Sequence, residues 1–164
     1  MAYKDLLITE LNYEAGLTKK MLERVPLEKA SWKPHDKSMT LGRLATHVAE
    51  IPHWISRIIT IDDFDFVVQG FSSNTAISKD ELLSIFEEKL NKAINDLESM
   101  NDEDFNKMWT VRRGEQVMQQ LPKKAAIRGW GYSHLVHHRG QLSVYLRLHD
   151  IPVPGMYGPS ADER

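Results

Sequence analysis

Residues 130–145 read WGYSHLVHHRGQLSVY, and the reading of this stretch decides the rest of the chain. It holds three of the seven histidines. His134 and His138 are four residues apart. On a helix that spacing advances by about 400°, so the two side chains share one face with Cβ atoms about 5–6 Å apart. Two imidazoles so placed reach one metal ion. Trp130, Gln141 and Tyr145 fall near the same face, whereas His137 is turned about 100° away.

Outward from this stretch, the helix is expected from Pro122 to about residue 148. Proline suits a first helical turn, where its missing N–H costs nothing. Gly129, Gly131 and Gly140 weaken a helix, which implies close helix approach or ligand access. Three further helices are expected. Residues 3–25 carry Leu7, Leu11, Ala15, Thr18, Leu22 and Val25 at spacings of three and four, and Pro26 stops them. Thr40 N-caps residues 41–60, whose apolar side is kinked by Pro52. Ser78 and Glu81 form a capping box that opens residues 79–98.

Between the helices, residues 27–39 read as a connector, with His35 a solvated loop histidine. Residues 61–77 lack a helical period and read as a long surface loop. Its Asp62, Asp63 and Asp65 do not have the spacing of a calcium loop. Residues 101–121 are a second long connection, with MWTVR a short extended piece and RRGEQ a turn. The tail at residues 151–164 is too rich in proline and glycine for a helix, and Met156 and Tyr157 are placed to fold back. Periodicity alone therefore predicts an all-α four-helix bundle with long connecting loops, in one domain over residues 1–164.

At 164 residues, 41% hydrophobic and 27% charged, the chain has the composition of a soluble globular domain. Its net charge of −2 gives no electrostatic case for nucleic acid. No window is long and apolar enough for a membrane span. MAYKDLLITELNYE is acidic early and does not read as a secretory leader, so a cytoplasmic protein is expected. There is no cysteine, which excludes a protein thiolate as ligand or nucleophile. Any thiol in the chemistry belongs to the substrate.

A mononuclear catalytic metal site takes three protein ligands and an open position. His47, on the inner edge of the second helix, is the best third ligand. Glu50, three residues on, is a further ligand, a supporting acceptor or a solvent-facing glutamate. Gln141 is placed to orient a ligand or bound water. Arg139 either holds a substrate carboxylate or phosphate, or pairs with an acid. Gln141, Arg139 and Glu50 are thus the catalytic candidates. Trp54, Trp130 and Tyr145 are the candidate substrate pocket. A ferritin-like dimetal centre is disfavoured because the fourth helix has no glutamate beside its histidines. Serine hydrolase chemistry is also disfavoured: Ser133 and His134 do not face each other, and there is no GxSxG elbow.

WKPHDKSMTLGRLATHVAEIPHW at residues 32–54, HLVHHRGQLSVYLR at 134–147 and IPVPGMYGPSADE at 151–163 resemble the DinB/YfiT-like superfamily. This is the damage-inducible DinB family of Bacillus type, unrelated to the polymerase of that name. The most specific part is one histidine in the second helix followed much later by H-x3-H-R-G-Q. The resemblance implies a four-helix bundle of up-down-down-up order, a homodimer, and a divalent metal, zinc or nickel, on His47, His134 and His138. Similar members include thiol transferases that use bacillithiol or mycothiol, a maleylpyruvate isomerase and hydrolases. The expectation is a metal-dependent transferase joining a low-molecular-weight, bacillithiol-like thiol to small electrophiles. Its rivals are a metal-dependent hydrolase and a non-enzymatic metal-binding stress or scaffold protein.

Overall fold

Prolines and polar caps punctuate the chain. The computed structural model describes residues 2–70 and 74–163. Helix α1 spans Tyr3–Leu22 and buries Leu7, Leu11, Ala15 and Leu22 on one stripe. Helix α2, Leu41–Glu50, starts where the Thr40 hydroxyl accepts the Arg43 N–H at 3.2 Å. Pro52 then breaks the rod, since its ring cannot sit against the carbonyl four residues back. Helix α3 resumes at His53–Thr60. A short α4, Phe66–Gln69, is N-capped by Asp65. Helix α5, Lys79–Glu98, opens with the Ser78 hydroxyl accepting the Glu81 N–H. The Glu81 carboxylate reaches one residue further back than a standard capping box, to the Ile77 N–H at 2.8 Å.

The expectation of an all-α bundle is corrected here. Among the described residues, three strands form one mixed sheet in the order β1-β2-β3. Strand β1 (Asp63–Asp65) runs parallel to β2 (Met108–Arg113), pairing Phe64 with Val111. Strand β3 (Gln116–Pro122) returns antiparallel. The two-residue turn at Gly114–Glu115 needs a positive φ, which Gly114 supplies at 58°. A bulge opposite Val111 and Arg112 absorbs one extra residue of β3.

Both expected connections thus contain strands. The Asp-Phe-Asp alternation at 63–65 is a period of two, with Phe64 fully buried, in a run too short to stand out. Strand β3 exposes five consecutive residues and has no alternation to read. The acids find structural partners: Asp63 with Arg112, Asp65 with the Val67 and Gly114 N–H groups, and Asp62 with Lys123. Residues 71–73 of the expected loop lie outside the described residues.

The last rod begins as α6, Lys123–Ala126, rather than at Pro122, which ends β3. It widens into a π-helical segment, Ile127–Ser133, and tightens into α7, His134–Arg147. Gly131 explains itself: a Cβ there would meet Ile55 Cγ1 at 2.7 Å, so α3 lies against the π segment where no side chain fits.

Helices α2 and α3 pack on α5, α2 packs on α7, and α1 bridges α5 and α7. The core falls into two clusters. One joins α1, α2, α5 and α7; the other joins α1, α3 and α5 to the sheet and the π segment. The tail folds back as expected, with Met156 on the first cluster.

Candidate metal centre

His47 is near the C-terminal end of α2, and His134 and His138 are on the first turns of α7. Because α2 and α7 pack together, the three rings meet. Their centroids are 4.5–5.0 Å apart, and one ligand atom from each lies within 4.8 Å of the others. Among the described residues the group comprises these three histidines, and Glu50 is outside it.

Two of the rings are held from behind. In the π segment the His134 N–H bonds the Gly129 carbonyl, five residues back. The Trp130 carbonyl, which an α-helix would give to that N–H, instead lies 3.2 Å from His134 Nδ1. A carbonyl only accepts, so Nδ1 carries the proton and Nε2 presents its lone pair. Gln141 Oε1 does the same for His138 Nδ1 at 2.7 Å. His47 Nε2 and His134 Nε2 are 3.2 Å apart. A tetrahedral zinc–imidazole site with bonds of about 2.0–2.1 Å spaces its nitrogens by about 3.3 Å. The donor set fits a divalent ion, and imidazole suits zinc, nickel, copper or iron.

The electrostatics agree. His47 is 6% exposed; the other two are half-buried. Burial first, then the imidazoles of His138 and His134, lower the His47 pKa to about 3. Burial and then His138 lower that of His134 to about 4. Burial also lowers that of His138, against the Gln141 bond. At neutral pH all three are uncharged, which is the ligating form.

A cavity of about 310 Å³ lies beside His47, between α2, α3, residues 74–76 and α5. Glu50, His53, Trp54 and Arg57 line it from the α2–α3 side. Trp130 packs against Trp54, with centroids 4.8 Å apart and the rings tilted by 51°, and shares a second, more open hollow with His134, Gln119 and Leu121. Phe64, Phe66 and Trp109 complete this aromatic wall.

Of the candidates, Gln141 meets the triad and Glu50 lines the cavity, where it is paired with Arg43 at 2.8 Å. Arg139 turns away. It is 2% exposed and bound to Glu14, Thr18 and the Tyr157 hydroxyl. Tyr145 also lies elsewhere, packed on Trp32 with its hydroxyl donating to the Met39 carbonyl. From the spacing of six residues His53 is expected to face away from His47, and Arg57 was passed over, yet both line the cavity beside His47, where Glu50, His53, Trp54 and Arg57 recur at helical spacing. Gln141→Ala is expected to weaken metal binding about 10–100-fold without unfolding the chain, because only ring orientation is lost. Metal competition titration against a chromophoric chelator reads this directly.

A sequence model described as the DinB family matches residues 1–164. The Bacillus subtilis protein YrdA is 24% identical over 163 aligned residues, covering 97% of this chain and 90% of YrdA. A crystal structure of a DinB-like protein from Bacillus cereus superposes with a TM-score of 0.69 at 22% identity, over 91% of this chain and 94% of that one. The DinB-like YjoA of Bacillus subtilis gives 0.69 at 16%, over 97% and 98%. Those structures share the fold; the match along the whole sequence carries the assignment, and this chain belongs to the DinB family.

Proposed function

We propose that this protein is a metal-dependent enzyme that joins a low-molecular-weight thiol to a small electrophile. The observation that carries the reading is a set of three converging imidazoles, with no carboxylate or fourth histidine grouped with them among the described residues, beside a cavity of about 310 Å³. Structural sites close all four positions, whereas catalytic ones keep one open. A divalent ion, zinc or nickel, held there supplies Lewis acidity, which lowers the proton affinity of a thiol or water reaching the open position. The absence of cysteine from the chain favours a thiol brought by the substrate.

The chain's own residues supply the rest. Gln141 and the Trp130 carbonyl hold two ligands in register. Trp54 and Trp130 wall the site with apolar surface that excludes water and receives the electrophile. Glu50 lines the same cavity as His47 and is our candidate acceptor for the thiol proton. As the sulfur forms its bond to the electrophilic carbon, the leaving group departs with the bonding pair. The reading includes a homodimer and a cytoplasmic location, where small thiols stay reduced. No helix among the described residues is long and apolar enough to cross a membrane.

The test is turnover of a chlorodinitrobenzene by zinc- or nickel-loaded protein with a panel of small thiols. Product formation is expected to need both thiol and metal, and to stop with a chelator. Thiol-independent hydrolysis of ester substrates, with no thiol adduct formed, would replace this reading by that of a hydrolase.

A further inference from the structure

The cavity beside His47 contains a cation that forms no ion pair among the described residues. Arg57 lies on α3, one turn beyond His53 and Trp54. Its guanidinium carbon lies over two rings, 4.9 Å from the Trp54 centroid and 5.2 Å from that of Phe64. Contact with ring faces takes up none of its N–H donors. Among the described residues no carboxylate stands within ion-pair distance of Arg57.

The acids on the cavity wall are already engaged. Glu50 pairs with Arg43 and Glu88 with Lys89, each at 2.8 Å, and Glu81 takes the Ile77 N–H. His53 sits one turn from Arg57. Burial first and then the Arg57 charge lower its pKa to about 4, so it adds no competing charge at neutral pH. Burial likewise lowers the Arg57 pKa, against the pull of Glu50. A guanidinium taken half out of water without a hydrogen-bonded anion carries a desolvation cost that a planar anion would offset. A carboxylate matches its fork with two parallel hydrogen bonds.

We propose that Arg57 seats a carboxylate of the substrate, and hence that the thiol or electrophile handled at the triad is an organic acid. The proposal rests on the functional reading above for its account of the reacting end. His47 on α2 and Arg57 on α3 line the same cavity, so one small molecule can reach both.

The test uses metal-free protein and succinate as probe, with succinamide as the uncharged control. The Trp54 indole N–H, assigned with Trp54→Phe, reports binding by NMR. Wild type is expected to show a saturable shift with succinate and none with succinamide. Arg57→Gln should weaken succinate binding at least ~10-fold, and Arg57→Lys should fall between, having the charge without the fork. No saturable shift in wild type, or the same affinity in Arg57→Gln, overturns the proposal. The measurement uses neither metal nor thiol. If it succeeds while the thiol assay fails, the transferase reading falls and the carboxylate seat stands; the reverse result removes the seat alone.

Discussion

His138→Ala is expected to abolish stoichiometric metal binding. Wild-type protein purified without an affinity tag should carry about one divalent ion per chain by elemental analysis, and the variant close to none. Loss of a supporting group costs about 10–100-fold in affinity. Loss of a ligand leaves only two imidazoles, so the fall should exceed that range. His138 is half-buried at the site, and its ring is held by Gln141 rather than by core packing. Circular dichroism should therefore be unchanged. Wild-type metal content in the variant would show that His138 is not a ligand.

The second large effect is expected far from the cavity. Glu14→Ala should destabilise the fold by about 3–5 kcal/mol, because it leaves Arg139 charged and buried with no counter-ion. Glu14 is 6% exposed and Arg139 2%; they meet at 2.6 Å, and Arg139 also bonds the Glu14 carbonyl and the Thr18 hydroxyl. Tyr157 donates to Glu14, which ties the tail to α1 and α7. For a chain of this size, each kcal/mol moves the melting midpoint by about 2–4 °C, so a drop on the order of 10 °C should appear by calorimetry. A change below about 1 kcal/mol, the size expected of an exposed ion pair, would contradict this account.

What the sequence made legible were features with a strict period. The stripe of α1, the Thr40 and Ser78 caps and the i,i+4 histidines all depend on spacing within one helix, and their positions follow from that spacing. His47 needed more, since nothing in α2 says that it faces α7; the inner edge of the stripe and the family resemblance together named it. The sheet was missed because β1 is three residues long and β3 is exposed almost throughout. Arg139 follows His138 in sequence, and a helical wheel cannot distinguish a cavity on one side of α7 from an acid on α1. Tyr145 shares the histidine face by angle, but it is nearly two turns beyond His138, where α7 lies against Trp32. Arg57 was overlooked because only the folded wall shows which cation lacks a partner.

The π segment bears on how such a site diverges. A wide turn is what a helix becomes when it takes in one extra residue without disturbing the hydrogen-bond ladder on either side. Here that turn falls between α6 and His134, with Trp130 inside it. Removing a residue there would rotate everything upstream by about 100° relative to α7. The ligands on α7 would keep their mutual spacing while the aromatic wall changed its facing. Losing that residue would also return the Trp130 carbonyl to the His134 N–H, so a change of a single codon at this one place alters both what lies opposite the histidines and the hold on one of them.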